Sequence, residues 1–258
     1  MVESLRGVGY STETALADIV DNSISAGARN VQVTFNFEGP KSTVSILDDG
    51  HGMSAPELLR AMTLGGISPL LRRSEGDLGR FGLGLKTASF SQCRCLTVAS
   101  RKGGLVSIRR WDLDYIAQPD VGDWRLLSSA RMGSEDLLAP LDGVSQGTLV
   151  IWEGLDRIVG AGMVKDTAAE NAFLALAERV EQHLSMVFHR LIEGGAPELR
   201  LHLNGHRIRP WDPFLRGHPA TYSTPIDPFG SPQARGELQG FVLPKTSLAR
   251  VSTALPAA

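Results

Sequence analysis

Apolar positions in the first third of the chain recur in two periods. From residue 12 to 26, Leu16, Ile19, Val20, Ser23 and Ile24 fall on one side of a helix, and Gly27 supplies a stop. Val31, Val33, Phe35 and Phe37 then alternate with polar residues, which predicts a half-buried strand. A second strand over 43–47 runs directly into the segment 48–53. Ser54, with Glu57 three residues on, forms a capping box that opens a helix. Residues 65–82 are rich in Gly, Ser and Arg without apolar periodicity and read as a loop. A helix follows from 83 to 92, then strands at 96–100, 105–111 and 147–153, with irregular chain between the last two.

Helical periodicity returns over 165–192, where Phe173, Leu176, Ala177, Val180, Leu184, Val187, Phe188 and Leu191 form the inward stripe. Residues 198–203 alternate and meet Asn204-Gly205, the strongest short hairpin signal. The remainder is rich in Pro and Gly and ends without a finished element. Helices interleaved with hairpin-like strands predict an α+β fold: a two-layer α/β sandwich with a mixed, mostly antiparallel sheet and helices on one face.

Composition narrows the class. With 42% hydrophobic and 21% charged residues in 258, the chain can bury a substantial core. A net charge of −2 gives no global field to recruit nucleic acid or an anionic membrane. Cys93 and Cys95, one residue apart, suffice for neither a zinc site nor a disulfide framework and read as plain thiols. No run of 18 apolar residues exists, and the first residues lack the apolar core of a signal peptide. A cytoplasmic location without membrane attachment is the expectation.

Three segments carry candidate chemistry. Asp18 and Asn22 are four apart and share the helical face opposite the apolar stripe. An amide oxygen is a hard ligand suited to Mg²⁺, and a carboxylate one turn away can orient or deprotonate a water; a merely solvated polar face is the bland alternative. Asp48-Asp49-Gly50-His51-Gly52-Met53 leaves a strand end, where paired glycines permit positive φ and close backbone approach. A buried carboxylate at Asp48 can accept an exocyclic amine, although a glycine-capped Asx turn is common at such a place. His51 reads as a solvent-facing loop residue. Gly79, Gly82 and Gly84 precede a helix, and glycine N–H groups at a helix N-terminus cradle anions. Lys86 sits in the first turn, where a cation opposes the helix dipole unless an anion offsets it. The spacing is neither a Walker A loop nor a dinucleotide-binding turn.

In this fixed order the segments ADIVDNSISAGA (17–28), DDGHGM (48–53) and DLGRFGLGLKTAS (77–89) resemble the GHKL ATPase superfamily of gyrase B-type topoisomerases, heat-shock chaperones, histidine kinases and MutL. The similarity is greatest to bacterial MORC- and MutL-like ATP-binding proteins, some of which sit near restriction or phage-defence genes. Gly147-Thr148 at the start of a late strand resembles the superfamily's Gly-Thr pair. The resemblance spans about 10–153 and implies the Bergerat ATP-binding fold, with ATP and Mg²⁺ as ligands. It implies that Asn22 holds Mg²⁺, that Asp48 accepts from adenine N6, and that Gly50, Gly52 and Met53 border the base. Gly79, Phe81, Gly82, Leu83, Gly84 and Lys86 would surround the phosphates, Thr148 would support the base through a water, and 65–78 would be the ATP lid. The expected domains are 1–193 for ATP binding, with the 165–192 helix at its junction, and 194–258 as the start of a truncated transducer-like domain.

Departures shape the functional expectation. The superfamily's catalytic position is usually glutamate, and here it is Asp18, one methylene shorter. Ser25 replaces an aspartate often found in the MutL-like motif. The γ-phosphate lysine of a transducer has one counterpart after Lys165, Lys245. The resemblance therefore implies a slow ATPase in which ATP closes a lid and drives homodimerisation or a conformational switch. The alternative is a nucleotide-gated binding module with negligible hydrolysis. A histidine-kinase reading ranks lower, because no upstream helical segment with a phospho-accepting histidine precedes the motifs. DNA or DNA-processing and defence proteins are candidate partners. Arg101-Lys102, Arg109-Arg110 and Arg207/Arg209 are the basic residues able to contact phosphates.

Overall fold

The computed structural model describes residues 6–7, 9–63, 84–118, 125–159, 166–194, 198–231 and 234–245. The chain divides into two units, Met1–Pro210 and Trp211–Ala258. The first is built on a seven-stranded sheet. Its strands are β1 (Asn30–Asn36), β2 (Thr43–Asp48), β3 (Cys95–Lys102), β4 (Leu105–Asp112), β5 (Gly147–Glu153), β6 (Arg200–Leu203) and β7 (His206–Arg207), in the spatial order β4-β3-β5-β2-β1-β6-β7. Only the β1–β6 pair is parallel; the other neighbours run antiparallel. This is the mixed, mostly antiparallel α+β architecture expected from the sequence.

The period-2 patterns decide which side chains face the helices. Val31, Val33 and Phe35 of β1, Val44 and Ile46 of β2, Leu96 and Val98 of β3, and Val150 and Trp152 of β5 enter one large core. Helices α1 (Thr12–Ser25), α2 (Ala55–Met62), α3 (Gly84–Phe90) and α5 (Thr167–Val187) contribute Leu16, Leu58, Phe90 and Phe173 to it. A one-turn helix, α4 (Leu113–Ile116), follows β4. Indole N–H groups buried in this core find partners: Trp152 Nε1 donates to Ser89 Oγ at 2.8 Å and Trp111 Nε1 to Met62 O at 2.8 Å.

The opposite face is not bare. Glu135–Gly143, within the stretch read as irregular, forms 3₁₀ turns that set Leu141 against Leu47, Ala99, Leu149 and Ile151. The α-helices therefore lie on one face, and a 3₁₀ segment covers the middle of the other.

The helix predicted at 165–192 is shorter and ends in a break. Asp166 caps α5 by accepting from Ala168 N and Ala169 N. At Phe188 the backbone leaves the helical region (φ −101°, ψ 14°), and a one-turn helix α6 (His189–Ile192) follows. Phe188 is buried as expected, whereas Val187, also expected inward, ends the helix 46% exposed. Asn204 and Gly205 both take positive φ (47° and 82°), as a two-residue hairpin requires, and join β6 to β7. Asn204 Oδ1 also accepts from Phe35 N at 2.8 Å, tying the hairpin to β1.

The domain boundary expected after residue 193 differs from the division seen here. Strand β6 pairs with β1 inside the first sheet, so the compact unit extends to Pro210. In the second unit, β8 (Tyr222–Ser223) pairs with β11 (Phe241–Val242) and β9 (Asp227–Ser231) with β10 (Ala234–Leu238). The rings of Phe214 and Phe241 lie 5.0 Å apart in this unit.

Phe173 joins α5 to the sheet, 1% exposed and with its ring 5.4 Å from Phe35 and 5.7 Å from Phe37. Phe173→Ala is expected to destabilise the protein by about 3–5 kcal/mol in a denaturant titration, as aromatic truncations in packed cores do.

Candidate functional site

The site grows from a row of side chains across three neighbouring strands. Register places Ser100 of β3 opposite Thr148 of β5, and Thr148 opposite Asp48 of β2. Each residue continues its strand's helix-facing set, after Val98, before Val150 and after Ile46 respectively. A polar row thus occupies the end of an otherwise apolar face, beneath α1.

Asp48 is 5% exposed. Its Oδ2 accepts from Ser23 Oγ at 2.8 Å, and its Oδ1 from Gly50 N at 2.9 Å and Thr148 N at 3.2 Å. Burial raises its carboxyl above the ordinary aspartate value, and the bonds from Gly50, Ser23 and Thr148 oppose that rise. The turn after it is held just as closely. Burial would raise the Asp49 carboxyl too, but hydrogen bonds from the Asn30 side chain and from the Asn30 and Arg29 backbone bring it below the ordinary value. His51 is exposed, as expected, and its backbone N donates to Ala26 O at 3.0 Å. Met53 N donates to Ser100 Oγ at 2.7 Å.

Two glycines make these approaches possible. A Cβ on Gly52 (φ +62°) would lie 2.0 Å from Arg101 O, and one on Gly147 (φ +148°) would lie 2.0 Å from Asp48 O. Neither backbone position admits a side chain without moving a strand. Gly147→Ala is therefore expected to lose at least about 2 kcal/mol of stability, read by thermal melting.

Helix α1 supplies the second part of the site. Ser11 caps it by accepting from Thr14 N at 3.2 Å. Ser23 points down to Asp48, while Asn22 is exposed and Asp18 half-buried on the adjoining face. The Tyr10 phenol is raised in pKa by its hydrogen bond with Asp18, then by burial, and it also engages Thr87 of α3. Asp21 is raised by burial and by the charge of Asp18.

Helix α3 brings Gly84 and Lys86. A Cβ on Gly84 would meet open space. Lys86 is 2% exposed, and its Nζ donates to Ala61 O at 2.8 Å and Thr63 O at 3.0 Å, the last carbonyls of α2. The cation that opposes the dipole of its own helix thus neutralises the C-terminus of another. Burial lowers its pKa to about 8.

Of the site residues expected from sequence, Asp48, Gly50, Gly52, Met53 and Thr148 come together in the row and its turn. Asp18 and Asn22 join them through Ser23 and α1. Gly84 and Lys86 lie on α3, which packs against α1. Gly79, Phe81, Gly82, Leu83 and the lid segment 65–78 lie outside the described residues. Sequence reasoning gave no role to Ser23, Ser100 or Tyr10. A hydroxyl at an inward position of an apolar strand or stripe was the signal for Ser100 and Ser23.

The Lys86 environment has a measurable consequence. The ordinary lysine value of 10.5 exceeds the folded value of about 8, so between these limits the unfolded chain binds more protons. Stability contributed at this group therefore rises with pH across that window. The stability of wild type minus that of Lys86→Met should increase from pH 8 to 10.5, with a slope of at most about 1.4 kcal/mol per pH unit. A difference independent of pH would show that the ammonium is not desolvated.

Comparisons with known proteins identify the family of the chain. The model of a family described as histidine kinase-, DNA gyrase B- and HSP90-like ATPase matches residues 10–148, from Tyr10 before α1 to Thr148 of the row. The chain is similar to the ATPase morc-1 of Caenorhabditis elegans, 32% identical over 238 residues, covering 76% of this chain and 27% of that protein. It is also similar to the chaperone protein HtpG of Rickettsia rickettsii (strain Sheila Smith), 26% identical over 113 residues, covering 40% of this chain and 18% of the chaperone. HtpG of Rickettsia canadensis (strain McKiel) is 27% identical over 108 residues, covering 38% and 17%. The chain thus spans about a quarter or less of the length of these curated relatives. The match runs over more than half of the chain and takes in α1, the Asp48 turn and the Gly147-Thr148 strand start, and the chain belongs to the histidine kinase-, DNA gyrase B- and HSP90-like (GHKL) ATPase family.

Proposed function

We propose that this chain binds Mg-ATP over the Ser100–Thr148–Asp48 row and hydrolyses it slowly. The observation that carries the reading is Asp48 itself, a buried carboxylate fixed by three donors from three segments and ending an apolar face. A carboxylate so placed can accept from an exocyclic amine. The neighbouring turn is drawn close to the strand ends because Gly50 and Gly52 carry no side chains, which sets the backbone beside Asp48. Asn22, exposed one turn beyond Asp18, would hold Mg²⁺, which would offset phosphate charge. Asp18 would orient or deprotonate the attacking water. Gly84, Lys86 and the glycines before them would surround the phosphates, with Lys86 transferring from the α2 carbonyls.

The reading extends to closure of the 65–78 segment and nucleotide-driven homodimerisation, an order–disorder switch of the kind γ-phosphate contacts drive. The nucleotide-gated module with negligible hydrolysis is favoured by one observation: the carboxylate at the catalytic position is a short aspartate already engaged by the Tyr10 phenol. DNA association has less support. Lys102 pairs with Glu57, Arg110 with Asp112, Arg207 with Glu198 and Arg101 with Asp142, so these cations have acidic partners competing with phosphates. No helix among the described residues is long and apolar enough to cross a membrane.

Equilibrium Mg-ATP binding and steady-state hydrolysis test the reading. Asp48→Asn is expected to abolish measurable ATP binding while folding at pH 7 at least as stably as wild type. The sign follows from the raised carboxyl: above the ordinary pKa the buried charge costs stability, and the amide removes it. Asn22→Ala should lose the Mg²⁺ dependence. Asp18→Glu should speed turnover, by up to the 10²–10⁴-fold a positioned base is roughly worth. Wild type that binds no adenine nucleotide at millimolar ATP, or Asp48→Asn that binds as wild type does, would overturn the assignment.

A further inference from the structure

We infer that Ser100 determines specificity for the nucleobase, acting through Thr148; the inference rests on the ATP reading above. Ser100 is fully buried, and its Oγ meets Met53 N at 2.7 Å, Gly147 O at 3.0 Å and Thr148 Oγ1 at 2.9 Å. A hydroxyl has one proton and two lone pairs. The Met53 N–H can only donate and the Gly147 carbonyl can only accept. One lone pair of Ser100 therefore takes the Met53 proton, and the Ser100 proton goes to Gly147. The second lone pair is left for the proton of Thr148. This is the one arrangement in which all three contacts are hydrogen bonds.

Its consequence lies at Thr148. With its proton committed to Ser100, Thr148 Oγ1 offers lone pairs only. Asp48, its neighbour in the row, accepts only while ionised. The row therefore has a single polarity. A base edge carrying an amino group is matched, and an edge carrying a carbonyl oxygen meets two acceptors. Asp48 supplies one of these by its chemistry, whereas Thr148 is an acceptor only because Ser100 holds its proton. Without Ser100 the Thr148 hydroxyl can rotate and donate to a 6-oxo purine. Ser100 is a positioning residue, since it reaches the ligand through Thr148.

The test compares binding of ATP with that of inosine triphosphate, which replaces the 6-amino group by an oxo group, places a proton on N1, and keeps the sugar and phosphates. Wild type, Ser100→Ala, Thr148→Val and the double variant are titrated with both, and each is melted to confirm folding. Wild type should prefer ATP. Ser100→Ala should narrow the ATP-to-inosine triphosphate affinity ratio by roughly tenfold, about one hydrogen bond's worth, chiefly through tighter inosine triphosphate binding. The double variant should narrow it no further than Thr148→Val does, since both act on one contact. A Ser100→Ala variant that weakens both nucleotides equally makes Ser100 merely structural and overturns the inference. If Ser100→Ala does not fold, an unchanged ratio in Thr148→Val overturns it instead. Wild type that binds ATP without preferring it overturns this inference alone, whereas wild type that binds neither nucleotide overturns the ATP reading as well.

Discussion

A carboxylate taken out of water must be solvated by the protein, and the arrangement around Asp48 follows from that requirement. An unpaired buried charge costs several kcal/mol, and hydrogen bonds to a charged group return roughly 1.5–3 kcal/mol each. Asp48 takes its bonds from Ser23 on a helix, Gly50 in a turn and Thr148 on a strand 100 residues away. Each donor arrives only if its segment sits correctly. Ser23 is placed by the apolar stripe of α1 on the sheet, Gly50 by a turn pinned through Asp49 and Ala26, and Thr148 by a strand whose first residue lacks a side chain. A residual burial cost remains, visible in the raised Asp48 carboxyl, and a group kept at such a cost is a candidate for binding. On the proposed reading, stability and recognition would pull in opposite directions at this one residue.

The elements were legible in the sequence because periodicity reports one-sided burial. The stripe of α1, the alternation in β1 and the Asn204-Gly205 turn are all local signals, and the structure places them within a residue or two of expectation. The row of Ser100, Thr148 and Asp48 was not legible, since strand order β3-β5-β2 departs from chain order and no local pattern encodes register between distant strands. Three further differences share that cause. The helix break at Phe188, the 3₁₀ cover over Leu141 and the pairing of β6 with β1 are all decided by what the rest of the chain presents to the segment. Lys86 shows the limit most clearly. From sequence it is a misplaced cation awaiting an anion, while in the fold two carbonyls of α2 hold it.

These contacts connect the parts of the site mechanically. Lys86 ties α3 to the end of α2, and Tyr10 bridges α1 and α3 through Asp18 and Thr87. Helix α2 is in turn fixed at its start by the capping box of Ser54 and Glu57, whose carboxylate also receives Lys102 of β3 at 2.8 Å. That pairing, first of all, holds the Glu57 carboxyl down at about 2, so the cap stays charged throughout the physiological range. A phosphate that drew Lys86 away would release the α2 carbonyls at one end while the other end stayed anchored. The end of α2 is also where the chain enters residues 64–83.

The same logic bears on turnover. An aspartate at position 18 falls one methylene short of a glutamate's reach, and reach matters because proton transfer requires heavy atoms within about 2.6–3.2 Å. Tyr10 adds a second constraint. The Tyr10 phenol is raised in pKa first of all by Asp18, so a water beside that carboxylate would compete with the phenol. On the proposed ATP reading, hydrolysis would depend on whether nucleotide binding shifts α3, and with it Thr87 and Tyr10, away from Asp18. Under the proposed reading such a site would hold its nucleotide for as long as Tyr10 keeps Asp18 engaged, and occupancy rather than turnover would be the regulated quantity.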